Sequence, residues 1–374
     1  MMAKEIYLLG AGIGVGLTIS ILYQRMWSSN TTTNNDTDAA KTRRNTDRPR
    51  SHAAIVIAAE REGYTLADVV AGHSISQLNK ESTKNDPVAL VSVEGDFLKP
   101  VQHDVRGDRE IEFYKTTNTK TDIPVYKGLE MINGNKYIRL SNVEGSFKQP
   151  CTIDIKLGRQ TWAPGATDAK KQRAKKKWKY MSTTATGVCG MKVYYPNQTN
   201  YLRLGKEYGR SLKGKSGMVH ALTTFLFNGR VLRLDVINAL IQQLKNRKSW
   251  LLNECQYVCY SMSILLVYEG DNSKSNCSSS SSSSSSNNNN GGIGGNSSVG
   301  ISSGSNGIRN SDDNGGSNSK CVVVFVDFAH TFLKNINDDP IRHNNQSKDC
   351  IDGIDHVILS LLNIQQLYEN QDEQ

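Results

Sequence analysis

The sequence lacks the cysteine and histidine spacing of a zinc site. Its 374 residues include seven cysteines, an odd number. Cys255-x-x-x-Cys259 has neither a second cysteine pair nor a nearby histidine at zinc-ligand spacing. We therefore predict a reduced protein of the cytoplasm or nucleus, with no cysteine-bound metal.

The N-terminal run at residues 6–23 lacks both charge and a complete nucleotide-binding fingerprint. Its glycines from Gly10 to Gly16 are evenly spaced, so the third glycine of G-x-G-x-x-G is missing. The run has about eighteen residues, the lower edge of a membrane span. The basic flank after it would keep the rest of the chain in the cytosol. Residues 1–27 are thus a candidate membrane anchor, with association through residues 6–23, and the sequence leaves open whether they cross a bilayer.

Two stretches lack the apolar side chains that a folded core needs. Residues 28–52 are polar and rich in Asn, Thr and Arg, and residues 276–320 are nearly all Ser, Asn and Gly. Such segments cannot bury enough apolar surface to offset the loss of chain entropy. We predict a disordered linker at 28–52 and a disordered surface insertion at 276–320.

The charge balance is strongly positive and indicates an anionic partner. The formal net charge is +9 at pH 7, which suits nucleic acid, a membrane surface or a phosphorylated small molecule. The densest basic run, at residues 170–179, has few aromatic residues beyond Trp178. Binding of nucleic acid through stacked bases is therefore not expected.

The first of two folded segments, residues 64–143, shows the pattern of an antiparallel sheet. Short apolar stretches occur at residues 88–93, 97–101 and 137–143, and they alternate with polar turns. Residues 106–114 mix charged and apolar side chains in a manner that suits a helix.

The second folded segment, residues 144–374, is richer in helical periodicity. Apolar residues between Ile237 and Cys255 fall mostly on one stripe of a helix, for which Asp235 is a plausible N-cap. Residues 322–326 form a continuous apolar run that predicts a buried strand ending at Asp327. The order of elements indicates an α+β protein.

Three residues of these segments could carry chemistry. Asp154 and Lys156 are two residues apart, so on a strand they would point to the same face. Asp327 would stand at the C-terminal end of a buried strand, a common position for a magnesium ligand. Taken alone, these residues are better explained as an ion pair between strands and a carboxylate that caps a strand end.

Two longer motifs make a family resemblance specific. Pro150-x-x-x-Asp154-x-Lys156-x-Gly158 and the segment at residues 326–330 resemble the two signature motifs of the inositol polyphosphate kinase family. Further similar segments lie at residues 97–100, 106–114, 208–212 and 263–270. The resemblance implies a two-lobed, kinase-like α+β fold with antiparallel sheets. ATP would bind in the cleft between an N-lobe at 64–143 and a C-lobe at 144–374.

The resemblance also implies a role for each matching residue. The catalytic residues would be Lys156, Asp154 and Asp327, of which Asp327 would bind Mg²⁺. The ATP site would comprise a phosphate-binding lysine with its carboxylate partner, a hinge and a ribose ligand: Lys99, Glu110, Leu140, Ser141, Val143 and Asp154. The inositol phosphate would contact the lysine near the transferred phosphoryl group, one basic helix face and a histidine: Lys156, Lys170, Arg173, Lys177 and His330.

The resemblance leaves the acceptor open between two members of the family. Residues 182–186, 189–191 and 201–203 look most like inositol hexakisphosphate kinases, whereas residues 161–164 are closer to inositol polyphosphate multikinases. Because the second lobe would hold the acceptor, we favour the hexakisphosphate, phosphorylated to a diphosphoinositol phosphate. The multikinase alternative would use inositol tris- or tetrakisphosphate. A membrane-tethered scaffold that binds inositol phosphates with weak activity is a hypothesis of another class.

Overall fold

The computed structural model describes residues 59–70, 87–117, 122–271, 320–334 and 340–372. The candidate anchor, the linker at 28–52 and almost all of the insertion at 276–320 lie outside these residues. Within the described ranges, no helix is both long and apolar enough to cross a membrane.

The first sheet has five antiparallel strands, as the short apolar stretches of residues 64–143 predict. The strands are β1 (Thr65–Leu66), β2 (Leu90–Val91), β3 (Phe97–Pro100), β4 (Tyr126–Ile132) and β5 (Asn135–Leu140), in the order β1-β2-β3-β5-β4. Helix α1 (Val105–Thr117) follows β3. Leu90, Leu98 and Tyr137 form a small apolar cluster, while Ile138 and Leu140 join the main core with α1.

The second sheet also has five antiparallel strands, with β6 (Pro150–Leu157) at its centre. Its other strands are β7 (Thr186–Tyr195), β8 (Asn200–Leu204), β10 (Ser263–Glu269) and β11 (Cys321–Val326), in the order β11-β10-β6-β7-β8. Between β6 and β8 lie the helices α2 (Asp168–Lys177) and α3 (Met181–Thr184). After β8 come α4 (Lys206–Ser211) and α5 (Gly214–Leu226).

Apolar side chains of the second sheet and the later helices form one continuous core. Helix α6 (Ile237–Asn253) buries Leu240, Ile241 and Leu244. Next along the chain is β9 (Tyr257–Cys259), which pairs with β12 (Thr331–Leu333), and the C-terminal helix is α7 (Pro340–Asp372). The predicted helix, buried strand and α+β class are confirmed.

The predicted N-cap of α6 is wrong. Asp235 lies in a 3-10 turn, Leu234–Val236, and the helix begins after it without a side-chain cap. The carboxylate of Asp235 instead accepts hydrogen bonds from Nε and Nη2 of Arg233, both at 2.7 Å. Because the Arg233 side chain is 2% exposed, its buried charge binds this carboxylate more strongly than helix amides would.

Candidate active site

A lysine from the first sheet joins two carboxylates beside the second sheet. Lys99 on β3 places Nζ 2.7 Å from Oε1 of Glu110 on α1 and 2.6 Å from Oδ1 of Asp327. Burial alone would lower the pKa of Lys99, but the charges of Asp327 and Glu110 raise that pKa well above its usual value. The predicted pairing of Lys99 with Glu110 is therefore present. The structure adds Asp327 to it.

Asp327 follows β11 in a backbone conformation that turns its side chain away from the strand. Its φ is 70°, in the left-handed region. The next residue, Phe328, is fully buried and stacks on Phe113 with ring centroids 3.9 Å apart. The Phe328 amide also donates to Oε1 of Glu110 at 3.0 Å. These contacts hold the turn, and they leave the Asp327 side chain 46% exposed.

The carboxylate of Asp327 is ionised at neutral pH. Its partial burial would raise the pKa, but the nearby charges of Lys99 and Lys156 lower the pKa to about 2. An ionised, half-exposed carboxylate is a suitable ligand for a hard divalent cation. The chemistry of this group therefore fits the metal role that the sequence predicts.

Asp154 and Lys156 lie on one face of β6, as their spacing predicts. The strand places Lys156 opposite Ser263 of β10, and Asp154 opposite Gly190 of β7. Lys156 Nζ donates to the carbonyl and hydroxyl oxygens of Ser261, at 2.7 and 3.0 Å.

Asp154 is a buried carboxylate that is not fully hydrogen-bonded. It is 6% exposed, and among the described residues its Oδ1 has no hydrogen-bond partner. Burial, and next the charge of Asp327, raise the pKa of Asp154 to about 6. A buried acceptor without a donor is costly. A ligand hydroxyl would remove this cost, which is consistent with the predicted ribose contact.

The predicted hinge connects the two sheets, and the Ser141 amide within it is already hydrogen-bonded. Leu140 ends β5 and is 2% exposed. The amide of Ser141 donates to the Val125 carbonyl at 2.8 Å, and the Val125 amide donates to the Ser141 hydroxyl at 2.9 Å. Adenine would therefore have to bind hinge groups other than the Ser141 amide.

Two of the predicted acceptor residues, Lys156 and Lys170, act electrostatically on a third, His330. Burial, followed by the charges of Lys170, Arg106, Lys156 and Arg109, lowers the pKa of His330 to about 4. These cations must lie close to the imidazole to have this effect. The charges of Lys170 on α2 and Lys156 on β6 thus both act on His330.

A second group of cations acts on Lys177 of helix α2. Burial, and then the charges of Arg210, Lys206 and Lys156, lower the pKa of Lys177. Arg173 lines an open groove together with Lys177 and Arg210. Of the five residues predicted to bind the acceptor, Arg173 and Lys177 line this groove, while Lys156 and Lys170 act electrostatically on His330.

Sequence reasoning missed four cations of this region. Arg106 and Arg109 lie on α1, just before Glu110, and Lys206 and Arg210 lie on α4. The signal for the second pair is their i,i+4 spacing on a short helix. The first pair lies inside the segment at residues 106–114, which resembles the family and contains Glu110.

Comparison with known proteins agrees with this geometry. The family model described as inositol polyphosphate kinase matches residues 137–362, more than half of the chain. The inositol polyphosphate multikinase of Mus musculus is 31% identical over 222 residues, which cover 55% of this chain and 54% of that protein. Inositol hexakisphosphate kinase 1 of Mus musculus is 30% identical over 225 residues, covering 60% of this chain and 50% of that protein. The chain thus spans about half the length of these curated relatives.

A solved structure supports the fold assignment. The inositol phosphate multikinase Ipk2 of S. cerevisiae, in complex with ADP and Mn²⁺, aligns with a TM-score of 0.52 at 19% sequence identity. The alignment covers 72% of this chain and 98% of that chain.

The protein has a two-lobed, kinase-like α+β fold. It contains two antiparallel sheets, and a lysine of the first sheet pairs with a carboxylate at the end of a strand of the second. The match over residues 137–362 narrows this class, and the chain belongs to the inositol polyphosphate kinase family. The family and the fold class predicted from the sequence are confirmed.

Proposed function

We propose that this protein transfers the γ-phosphoryl group of ATP to an inositol polyphosphate, with the help of a divalent cation. The observation that carries the proposal is the ion pair of Lys99 with Asp327, whose pKa Lys156 also lowers, beside the cations that act on His330. Family membership supports the reaction, and the ADP and Mn²⁺ of the yeast relative support the nucleotide and the metal.

In this proposal the nucleotide lies between an N-lobe at 64–143 and a C-lobe at 144–374. The adenine binds the hinge between Leu140 and Val143, and a ribose hydroxyl donates to the unpartnered oxygen of Asp154. Lys99 contacts the phosphates and is held in place by Glu110.

Asp327 is the residue that would hold Mg²⁺. The cation supplies neutralisation of phosphate charge when it is bound. Lys156 is held by Ser261, and it stabilises negative charge on the transferred group. Transfer is direct and in line, so positioning and charge neutralisation supply most of the rate acceleration.

The acceptor binds to Lys156, Lys170, Arg173, Lys177 and His330. Inositol hexakisphosphate is the preferred acceptor in this proposal, because helix α2 carries six basic side chains and buries none of its own residues, and Lys179 lies just after it. The multikinase alternative has equal support from sequence identity, since the two relatives are 31% and 30% identical to this chain.

The test is a transfer assay with purified full-length protein, labelled ATP, Mg²⁺ and inositol tris-, tetrakis-, pentakis- and hexakisphosphates, with the products resolved by charge. Transfer to hexakisphosphate is expected to be the most efficient. Transfer to tris- or tetrakisphosphate alone would move the assignment to the multikinase. No transfer to any acceptor, from protein that binds them, would support the scaffold hypothesis instead.

His330 offers a test of acceptor binding that does not depend on turnover. In the free protein its pKa is about 4, so the imidazole is neutral at pH 7. Bound phosphates would neutralise the surrounding cations and favour the imidazolium. We therefore expect saturating hexakisphosphate, without nucleotide or metal, to raise this pKa by about 1 to 3 units.

The measurement is an NMR titration of the imidazole C–H resonance, assigned by its loss in His330→Gln. Inorganic sulfate at matched ionic strength controls for general screening. A His330 pKa that stayed constant while the ligand saturated would remove this residue from the acceptor site.

A further inference from the structure

A basic groove lies beside helix α2, and only two of the predicted acceptor residues line it. It has a volume of about 760 Å³ and opens to solvent. Six of its lining residues are cations from α2, α4 and the segments that follow them: Arg173, Lys176, Lys177, Lys179, Arg210 and Lys213. Tyr180 and Ser211 also line it.

The positive charge of this groove is not compensated by the protein. None of the six cations forms an ion pair within the described ranges, and the groove has no acidic residue among its lining. By contrast, Arg159, Arg203 and Lys248 each bind a carboxylate at 2.5 to 2.7 Å. Like charges held together without counterions favour an anionic ligand.

The groove overlaps the predicted acceptor site, but Lys156 and Asp327 do not line it. It shares Arg173 and Lys177 with that site, whereas Lys156, Lys170 and His330 are not part of its lining. Lys177 connects the two regions, because both Lys156 and Arg210 influence its pKa. A ligand with phosphates around a whole ring could therefore contact both regions at once.

We propose that Lys176, Lys179, Arg210 and Lys213 form a distal subsite for the acceptor phosphates farthest from the transferred group, which selects densely phosphorylated inositols. This inference rests on the proposed function. The guanidinium of Arg210 can bind one phosphate through two parallel hydrogen bonds, and the lysines add point charges. An acceptor with three phosphates can be held by the shared and proximal cations alone, so it gains little from the distal subsite.

The experiment compares Arg210→Gln/Lys213→Gln and Lys176→Gln/Lys179→Gln with wild type. The matched control is Lys136→Gln/Lys245→Gln, which removes the same charge from exposed lysines outside the groove. Each groove variant is expected to lower the affinity for inositol hexakisphosphate at least tenfold by calorimetry. The same variants should change the affinity for inositol trisphosphate less than threefold, and the control should change neither. Circular dichroism checks that each variant is folded.

The outcomes separate this proposal from the proposed function. Equal losses for both ligands, or no loss for hexakisphosphate, would overturn the distal subsite. A variant that lost binding to vesicles containing phosphoinositide lipid but kept its hexakisphosphate affinity would overturn it in favour of a lipid site. Wild-type protein that bound hexakisphosphate selectively through the groove but transferred no phosphate would retain the subsite and reject the kinase proposal.

Discussion

Replacement of Asp327 by Asn is expected to lower the rate of phosphoryl transfer by about 10²- to 10³-fold, the usual cost of removing one charge that stabilises a transition state. Asn keeps the size of the side chain but loses the ionised oxygen that fits a divalent cation and that pairs with Lys99. Inositol phosphate should bind at least as tightly as before, because the binding surface is cationic. Single-turnover kinetics and calorimetry measure the two quantities separately.

The control for this prediction is Asp355→Asn. Asp355 on α7 is also partly exposed, and it pairs with Lys248 on α6 at 2.7 Å. This pair lies between two packed helices and not at the candidate site. Its loss should leave the rate within about twofold, since exposed ion pairs contribute little. If Asp327→Asn retained the wild-type rate at low Mg²⁺ concentration, the proposed metal role of Asp327 would be wrong.

Replacement of Lys192 by Met is expected to lower the free energy of unfolding by about 3 kcal/mol, near the low end for breaking a buried ion pair. Lys192 on β7 is 2% exposed and binds Glu144 at 2.6 Å and Asp68 at 3.0 Å. Glu144 follows the hinge, and Asp68 follows β1, so one ammonium group joins both sheets. Asp68 keeps its ion pair with Arg203, which limits the loss.

Urea denaturation measures this effect. Lys248→Met is the matched control, because its partner Asp355 is 41% exposed, and it should cost less than about 1 kcal/mol. Adding Glu144→Gln to Lys192→Met should recover part of the loss, since it removes the unpaired carboxylate. Equal effects of the two lysine variants would show that burial adds nothing to the Lys192 pairs.

The candidate site was predictable where the chemistry depends on local spacing. Asp154 and Lys156 share a face of β6 because side chains alternate along any strand. Asp327 stands at a strand end because residues 322–326 are uniformly apolar and residue 327 is charged. The N-cap of α6 could not be predicted, since the buried Arg233 competes for Asp235.

The signature motifs, the period of the strands and the polar stretches determined the family, the α+β class and most of the residues expected at the active site. Those properties depend on residues near one another in the chain, where spacing alone limits geometry. Only the tertiary structure brought Lys99 to Asp327, which is 228 positions further along the chain. It alone also joined α4 to α2 in an uncompensated basic groove. Burial and the distance between charges decide which cations are neutralised and which stay available to a ligand, and both arise only when distant segments pack together.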